Sequence, residues 1–381
     1  MPDRFVIFAL SVRRPIFNGQ YVRVMGLLNK LFGANKQPAD AYENFWNWFQ
    51  ENAKSVHKVV KEKGNVEKDF FSKLSPKLDE VKEGLLFSTG MADDKTVELV
   101  ITANGTVKNF VFAEELVEAA PKIEGWEFTA LIPAMDIKDV SLDMSGYKFN
   151  GQNLSFHANE EADFLDEIDV TIVHAECTNG NRSAINDGIF IFLDNYLGEQ
   201  GLALVDNIIV ATPEEAEKEL VPIGQLKDFV NRRQKELSDK HEGVKPPGKP
   251  ESYALIETEL RSGDRLIAVI NTELLNWEHK TAYPWTLQID IPFEEADNNG
   301  LAEKIEEEIT ASLNNLGTCL KIGRQTTNAG REIYFVSRDF RMPSKLAVAI
   351  QKEYADRLEI GYDLYLDKYW SHFNRFKKKD Q

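Results

Sequence analysis

The chain has 381 residues, 43% of them hydrophobic, and carries 62 Asp and Glu against 45 Lys and Arg, a formal charge of −17 at pH 7. This apolar content is enough for the cores of two or three ordinary domains, so the composition excludes a disordered protein. The negative charge repels phosphate backbones, which argues against direct nucleic-acid binding unless a local basic patch opposes the overall field.

Residues 1–37 are predicted to be a poorly packed N-terminal extension. Phe5 to Val12 is apolar but too short to cross a bilayer. Arg13 and Arg14 follow this stretch, whereas a secretory signal carries its positive charges first. The sequence therefore predicts a cytoplasmic protein with neither an export signal nor a membrane anchor.

An N-terminal α+β domain is predicted over residues 38–212. Apolar residues at helical spacing predict a helical hairpin at its start, with Gly64 between the two helices. A β-hairpin, a short helix, a strand, an irregular insertion and another strand follow, and then a helix that ends at Gly198 and a last strand that ends at Ala211. This order is close to a βαββαβ pattern with an added hairpin.

Residues 213–250 are predicted to form a helical and proline-rich linker. Ile223 to Leu237 has a helical pattern, and the run from Lys245 to Pro250 contains three prolines that stiffen the chain. We expect the boundary between two domains here.

The C-terminal domain is predicted over residues 251–381, and it begins with a β-hairpin around Ser262-Gly263-Asp264. The next elements again follow the order βαββαβ, so the predicted fold class is α+β, with two tandem ferredoxin-like domains. In each half we expect a single sheet with its helices stacked on one side. The elements after the hairpin are predicted as strand Trp285 to Ile291, helix Leu301 to Leu316, strands Thr318 to Gln325 and Arg331 to Ser337, helix Ser344 to Tyr354 and strand Tyr362 to Leu366.

Four short runs in this half carry a resemblance to a known family. They are Tyr283-Pro284-Trp285, Asn299-Gly300-Leu301, Gly323-Arg324-Gln325-Thr326 and Gly330-Arg331-Glu332-Ile333-Tyr334-Phe335. Over about Glu251 to Asp367 the chain resembles the bacterial family called domain of unknown function 695.

The segment from Phe45 to Ala211 resembles the other half of Bacteroidetes proteins with this layout. Domains of the family often occur beside one similar to the regulator of ribonuclease E activity B, a small ferredoxin-like inhibitor domain. The resemblance therefore implies a regulatory role, and the family itself has no assigned activity.

Arginines beside the predicted C-terminal hairpin are the main candidates for a ligand site. Arg324 and Arg331 flank the hairpin, where two guanidinium groups can converge on a carboxylate or phosphate. Alternatively, they pair with Glu332 or with helix carboxylates. Three aromatic residues near one end of the sheet line a pocket in one interpretation and fill the core in the other. The candidate ligand or partner contacts are Arg324, Arg331, Glu332, Trp277, Tyr283 and Trp285.

No motif in the sequence nominates a catalytic, cofactor or metal site. The six histidines form no HExxH or HxH pattern, and Cys177 and Cys319 lie outside any ligand spacing and are typical of structural thiols in a reducing compartment. GxSxG, GxGxxG and the phosphate-binding P-loop are missing from the sequence. Tyr334 and Phe335 are predicted on opposite sheet faces, which disfavours RNA stacking.

The sequence favours a non-enzymatic protein whose acidic surface and open sheet faces bind another protein, such as a nuclease or other basic partner. The alternative is a hydrolase or small-ligand-binding enzyme with a site near Arg324 and Arg331. That alternative requires the candidate side chains to converge around one concavity. A purely structural or self-associating protein is the third hypothesis.

Overall fold

The structure is a computed structural model that describes residues 38–248, 252–260, 262–293 and 298–377. The described chain divides into two units, the first ending at Asp239 and the second beginning at Lys240. The expectation of a poorly packed extension at residues 1–37 lies outside the described residues. Among the helices that are described, none is both long and apolar enough to cross a membrane.

The first unit opens with a helical hairpin, followed by strands and helices in alternation. A π-helical turn, Glu67–Phe71, leads into the second helix of the hairpin. The helices are α1 Pro38–Lys61, α2 Ser72–Val81, α3 Phe110–Glu118, α4 Arg182–Leu202 and α5 Leu226–Lys240, and the strands are β1 Leu86–Met91, β2 Val97–Thr102, β3 Trp126–Ala130, β4 Leu142–Met144, β5 Tyr147–Phe149, β6 Leu154–Asn159, β7 Asp169–His174, β8 Asn207–Ala211 and β9 Val221–Pro222.

The described strands of this unit lie in separate sheets, which corrects the expectation of a single one. One sheet has the order β1-β2-β3, a second has the order β8-β7-β6-β9, and β4 pairs only with β5. The reason is parallel pairing between strands that are close in sequence. β2 pairs with β3 across the crossover helix α3, and β7 pairs with β8 across the crossover helix α4, so each pair belongs to its own sheet.

Aromatic packing holds the helical hairpin to the first sheet. The ring of Phe49 in α1 lies 4.9 Å from that of Trp126 in β3, centroid to centroid. Phe70 from the π-helical turn is fully buried beside them. Burying rings of this size supplies much of the hydrophobic stabilisation of a small core.

A second core forms where α4 and α5 cover the four-stranded sheet. Ile189 and Phe192 of α4 are fully buried, and Leu226 and Val230 of α5 are buried with them. Residues 213–239, expected to form a linker, therefore belong to the first unit, because the apolar side of α5 is part of its core.

The second unit has the predicted strands and long helices in the predicted order, with boundaries displaced by at most a few residues, and it adds a short helix and a 3-10 helix that were not predicted. Its hairpin strands come first, followed by a short helix and then the βαββαβ succession. The elements are β10 Tyr253–Glu259, β11 Arg265–Asn271, α6 Thr272–Leu275, β12 Trp285–Pro292, α7 Asn298–Leu316, β13 Cys319–Thr326, β14 Gly330–Ser337, α8 Arg341–Glu353, β15 Gly361–Leu366 and a 3-10 helix, Ser371–Phe376.

These strands form one six-stranded antiparallel sheet in the order β10-β11-β13-β14-β12-β15. On one face, α7 packs on β13 and α8 packs on β12 and β15. The opposite face, expected to be open, is covered in part, because Trp370 and Phe373 are completely buried there in a cluster with Tyr283 and Tyr334.

Candidate functional site

The two arginines nominated by the sequence both face α7, where they meet a carboxylate of the protein itself. Arg324 Nη1 lies 2.7 Å from Glu306 Oε2, and Arg331 Nη1 lies 2.9 Å from the same oxygen. Lys321 Nζ lies 2.5 Å from the other oxygen, Oε1. We call these four side chains the Glu306 cluster.

A β-bulge in β13 puts Lys321 and Arg324 on the same face of the sheet. Residues three apart in a regular strand point to opposite faces, because side chains alternate. The register between β13 and β14 shifts between Lys321 and Gly323, and this irregularity breaks the alternation. As a result Lys321 lies opposite Phe335 and Arg324 lies opposite Ile333. Phe335 and Ile333 are two residues apart in β14, so their side chains point to the same face of the sheet.

Burial and charge act in opposite directions on the Glu306 carboxylate. Glu306 is 5% exposed, and burial by itself raises the pKa of its carboxyl. The charges of Lys321 and Arg324 and their hydrogen bonds outweigh that effect and hold the pKa below its usual value. Burial, followed by repulsion from Arg324, lowers the pKa of Arg331, but a guanidinium starts so high that it stays charged at neutral pH.

A cavity of about 530 Å³ lies beside this cluster, between α7 and β13. The side chain of Arg331 is only 3% exposed, and all three cations direct donors at Glu306. The arrangement is a buried ion network. Of the two interpretations of the arginines, it therefore matches the one in which they pair with a carboxylate of a helix. The lining residues are Glu303, Glu306, Glu307, Thr310, Ala311, Lys321 and Arg324.

Glu332 lies on the opposite face of the sheet from Arg331, as the alternation along β14 requires. Gln325 Nε2 donates a hydrogen bond to Glu332 Oε2 at 2.7 Å, and the Tyr334 hydroxyl donates to the same oxygen. Arg375 Nη2 in turn donates to the Tyr334 hydroxyl at 2.9 Å. Burial, then the hydrogen bond to Glu332, raises the pKa of Tyr334 far above its usual range, so this hydroxyl remains a donor.

The three aromatic candidates divide into two groups. Trp277 lies 5.7 Å from Tyr283 and 6.1 Å from Trp370, between ring centroids, in the cluster on the face away from α7 and α8. Trp285 instead packs edge-on against Phe340 at the start of α8, at 5.0 Å. The structure therefore brings Trp277 and Tyr283 together and separates them from Trp285.

The six nominated residues do not surround one concavity. Arg324, Arg331 and Trp285 face the helices, whereas Glu332, Trp277 and Tyr283 belong to the other face. The residue that organises the arginines, Glu306, was not nominated by the sequence.

A signal for Glu306 does exist in the helical pattern. It follows Ala302 by four residues and lies next to Ile305 and Ile309 on the inward stripe of α7, all of them buried. A charged residue on such a stripe requires partners, because an unpaired buried charge is strongly unfavourable. The basic residues of the following strands are the partners that this rule predicts.

Sequence reasoning also missed an exposed apolar surface on the hairpin at the edge of the sheet. β10 is the last strand of the described sheet, and the side chains of Leu255 and Tyr253 are 70% and 49% exposed. Leu255 pairs with Val269, and Glu257 pairs with Ile267. We call Tyr253, Leu255, Ile267 and Val269 the β10–β11 strip.

In the first unit, a buried carboxylate at Glu199 has its acceptors occupied. One oxygen accepts hydrogen bonds from Ala103 N at 3.0 Å and Gly105 N at 2.8 Å. The other accepts from Thr102 Oγ1 at 2.7 Å and Ile132 N at 3.1 Å. Since Glu199 is 1% exposed, this carboxylate joins the segments that follow β2 and β3 and offers no oxygen to a substrate.

Metal ligation finds no support in the part of the chain that the structure describes. No group of three or more His, Cys, Asp and Glu side chains there is placed to hold a metal ion. Comparison of the sequence and structure with family models, with curated proteins and with solved structures finds no match to this chain.

Proposed function

We propose that this chain is a non-enzymatic protein that binds and modulates another protein with a basic surface, such as a nuclease. The observation that carries the proposal is a separation of charge along the chain. Residues 38–239 hold 38 Asp and Glu against 19 Lys and Arg, a formal charge of −19, whereas residues 240–381 hold 23 against 20, a formal charge of −3. A strong field of one sign steers a partner of the opposite sign and favours its association.

Part of this charge surrounds two connections of the four-stranded sheet. Residues 160–168 join β6 to β7, and residues 212–220 lead from β8 to β9, which pairs with β6. Lys218 Nζ donates to a carbonyl oxygen near the end of β6 at 2.8 Å, so the two connections are neighbours. Leu165 is 60% exposed and Leu220 is 37% exposed within them. The acidic patch, as we define it, consists of Glu160, Glu161, Asp163, Glu217 and Glu219 with Leu165 and Leu220.

The arrangement of the second unit supports a ferredoxin-like assignment for this half of the chain. Its βαββαβ elements form a sheet in the order β15-β12-β14-β13, with the hairpin added beyond β13. The resemblance to domain of unknown function 695, and through its neighbours to an inhibitor of a ribonuclease, agrees with a modulating role by analogy of fold. For the first unit, division into separate sheets does not support the same assignment.

The division of the candidate residues also favours binding over hydrolysis. An enzyme needs a nucleophile, a base and a stabilising group around one reacting atom. Arg324 and Arg331 share the Glu306 carboxylate, and Glu332 accepts hydrogen bonds on the other face. The alternative of a hydrolase near Arg324 and Arg331 therefore has the weaker support.

Affinity capture at low salt tests the proposal. The tagged chain is incubated with native lysate at about 50 mM salt, and bound proteins are eluted with rising salt and identified. At 0.1 M, salt screens interactions between exposed charges that lie more than about 10 Å apart. We expect a basic protein that elutes as salt rises. The five-carboxylate variant has all five carboxylates of the acidic patch neutralised. We expect it to recover at least about tenfold less of the partner.

A matched control keeps the same total charge and moves the substitutions elsewhere. It neutralises five exposed carboxylates on or next to the helical hairpin and α3, elements that do not contribute to the acidic patch. Equal losses in both variants would show a general charge effect and contradict a defined surface, and recovery of no basic protein would contradict the proposed function itself. The control substitutions are Glu43→Gln, Glu51→Gln, Glu62→Gln, Glu67→Gln and Glu118→Gln.

A further inference from the structure

We propose that the β10–β11 strip is the docking site for one amphipathic helix of a partner protein, with apolar residues toward the strip and Lys or Arg along its edges. The strip belongs to the second unit and the acidic patch to the first. The inference rests on the proposed function in one respect, which is that the ligand is a protein with basic residues.

The width of the uncovered surface matches one helix. Neighbouring strands lie about 4.8 Å apart and a helix with its side chains is about 10 Å across, so each helix covers about two strands. Among the described residues, α7 and α8 pack on β13, β12 and β15, and neither packs extensively on β10 or β11. Two strands of the helix-bearing face are therefore left, a gap of about 10 Å beside α7.

The exposed apolar side chains point out of this face and not along the edge of the sheet. Leu255 pairs with Val269, and Val269 pairs with Arg324, whose guanidinium reaches Glu306 on α7, so all three share the face of α7. Tyr253, two residues before Leu255, has the same orientation. A strand added at the edge of β10 gains backbone hydrogen bonds but does not cover this face, whereas a helix laid across it buries both side chains.

Charge decides which helix fits. Glu303 and Glu307 are exposed one turn apart along the side of α7 that lines the cavity, and Glu257 and Glu259 are exposed on β10. In the described part of the hairpin, the exposed Arg265 lies 2.5 Å from Glu257. The cations at the cavity already share the Glu306 carboxylate, and the buried Arg331 also lies 3.8 Å from Glu303. A helix between these rims meets Glu307 on one side and Glu259 on the other, in addition to the carboxylates that already pair with Arg265 and Arg331. Lys or Arg at its edges therefore form pairs like those at the e and g positions of a coiled coil.

The test uses two model peptides as probes. One is an 18-residue helix with Leu on one face and Lys on the other, and the second has Glu in place of Lys. Each is titrated by fluorescence anisotropy into the five-carboxylate variant, which reduces binding of the basic peptide to the first unit. We expect the Leu/Lys helix to bind with a Kd of about 10–100 μM and the Leu/Glu helix to bind at least about tenfold more weakly.

Two double variants locate the binding. Tyr253→Ser/Leu255→Ser is expected to weaken the Leu/Lys helix at least about tenfold, because both apolar anchors are lost. Phe190→Ser/Ile209→Ser removes a matched aromatic and aliphatic pair, 39% and 46% exposed in the first unit, and is expected to change the affinity less than about twofold. Circular dichroism spectra that match the parent show that each variant is folded.

Three results would overturn the inference. The first is an equal loss of affinity for the Leu/Lys helix in the two double variants, and the second is equal affinity for the Leu/Lys and Leu/Glu helices. The third is a dimer, detected by light scattering, that Tyr253→Ser/Leu255→Ser dissociates, because the strip is then a contact between copies of the chain. Because the titration uses a chain without the acidic patch, its outcome is independent of affinity capture. Either proposal can therefore fail while the other stands.

Discussion

The Glu306 cluster shows how one side chain determines the role of its neighbours. One buried and two partly buried cations repel each other here, and the carboxylate of Glu306 compensates all three through contacts of 2.5 to 2.9 Å. Glu303 adds a more distant contact to Arg331, at 3.8 Å. Removing one member of a buried ion network leaves charges without compensation, which costs more than the network contributes relative to an apolar core. The cluster is therefore a point at which the second unit is vulnerable to substitution.

Glu306→Ala is expected to lower the unfolding free energy of the second unit by about 3–5 kcal/mol, because the three cations lose their shared partner. The control is Glu307→Ala, the same substitution at the next position of α7, where the side chain is exposed and the expected change is within about 0.5 kcal/mol. Chemical denaturation followed by the tryptophans of this unit measures both. Similar changes in the two variants would show that the cluster is not structurally important.

Asp194 gives a prediction about pH in the first unit. Burial, and then the charge of Glu199, raises the pKa of Asp194 to about 6. Since an unfolded Asp has a pKa of about 3.9, its contribution to stability is complete below that value and is lost as the pH rises through 6. Asp194→Asn is expected to raise the unfolding free energy by about 1–2 kcal/mol at pH 7.5, discounted for partial exposure, and to change it little at pH 4. Thermal unfolding at the two pH values measures this, and an effect independent of pH would contradict it.

Single residues were predictable from the sequence only where local alternation decides their position. The pattern of β14 places Arg331 and Glu332 on opposite faces without further information. The common face of Lys321 and Arg324 depends on the bulge in β13, and a bulge is a property of the pairing between two strands, which the sequence of one strand does not contain.

Secondary-structure elements in the second unit were predictable because their patterns are strong and local. The predicted helix Leu301 to Leu316 is observed as Asn298–Leu316, and the predicted strand Trp285 to Ile291 is observed as Trp285–Pro292. Helix α4 breaks where the sequence predicted its end. Gly198 has a φ of 73° and leaves the helical conformation, as glycine does readily, and a second short helical segment then continues to Leu202.

A glycine within α4 gives a prediction for packing between elements. A Cβ at Gly188 would lie 2.0 Å from a ring carbon of Phe149 in β5, so the helix and strand approach too closely for any side chain. Gly188→Ala is expected to destabilise the first unit by about 1–3 kcal/mol through overpacking. Gly201→Ala in the same helix meets its nearest atom at an ordinary 3.4 Å and is expected to be neutral or stabilising by up to about 1 kcal/mol. Thermal midpoints of the two variants compare them, and equal midpoints would contradict the close approach.

At the scale of the molecule, the sequence predicted a mixed α+β fold but not how the strands combine into sheets. Periodicity identifies a strand and its buried face, whereas pairing depends on contacts between distant segments. In the first unit the parallel pairs β2/β3 and β7/β8 separate the strands into different sheets. In the second unit the strip on β10 and β11 is visible only once the sheet order places these strands beside α7 and not beneath it.

Charge is the property of the whole molecule that bears most directly on the proposed function. The net charge of −17 was known from composition, but its concentration in residues 38–239 acquires meaning only when those residues form one unit. A protein that recruits a basic partner in this way should bind more weakly as salt increases, because exposed charges are screened.

Hydrogen exchange of the chain, alone and with the partner captured at low salt, tests the central claim most directly. The account predicts that the partner slows amide exchange in residues 160–167 and 212–220, which carry the acidic patch, because a bound surface excludes solvent from backbone groups. Unchanged exchange in both segments, with protection confined to the residues around Arg324 and Arg331, would contradict it.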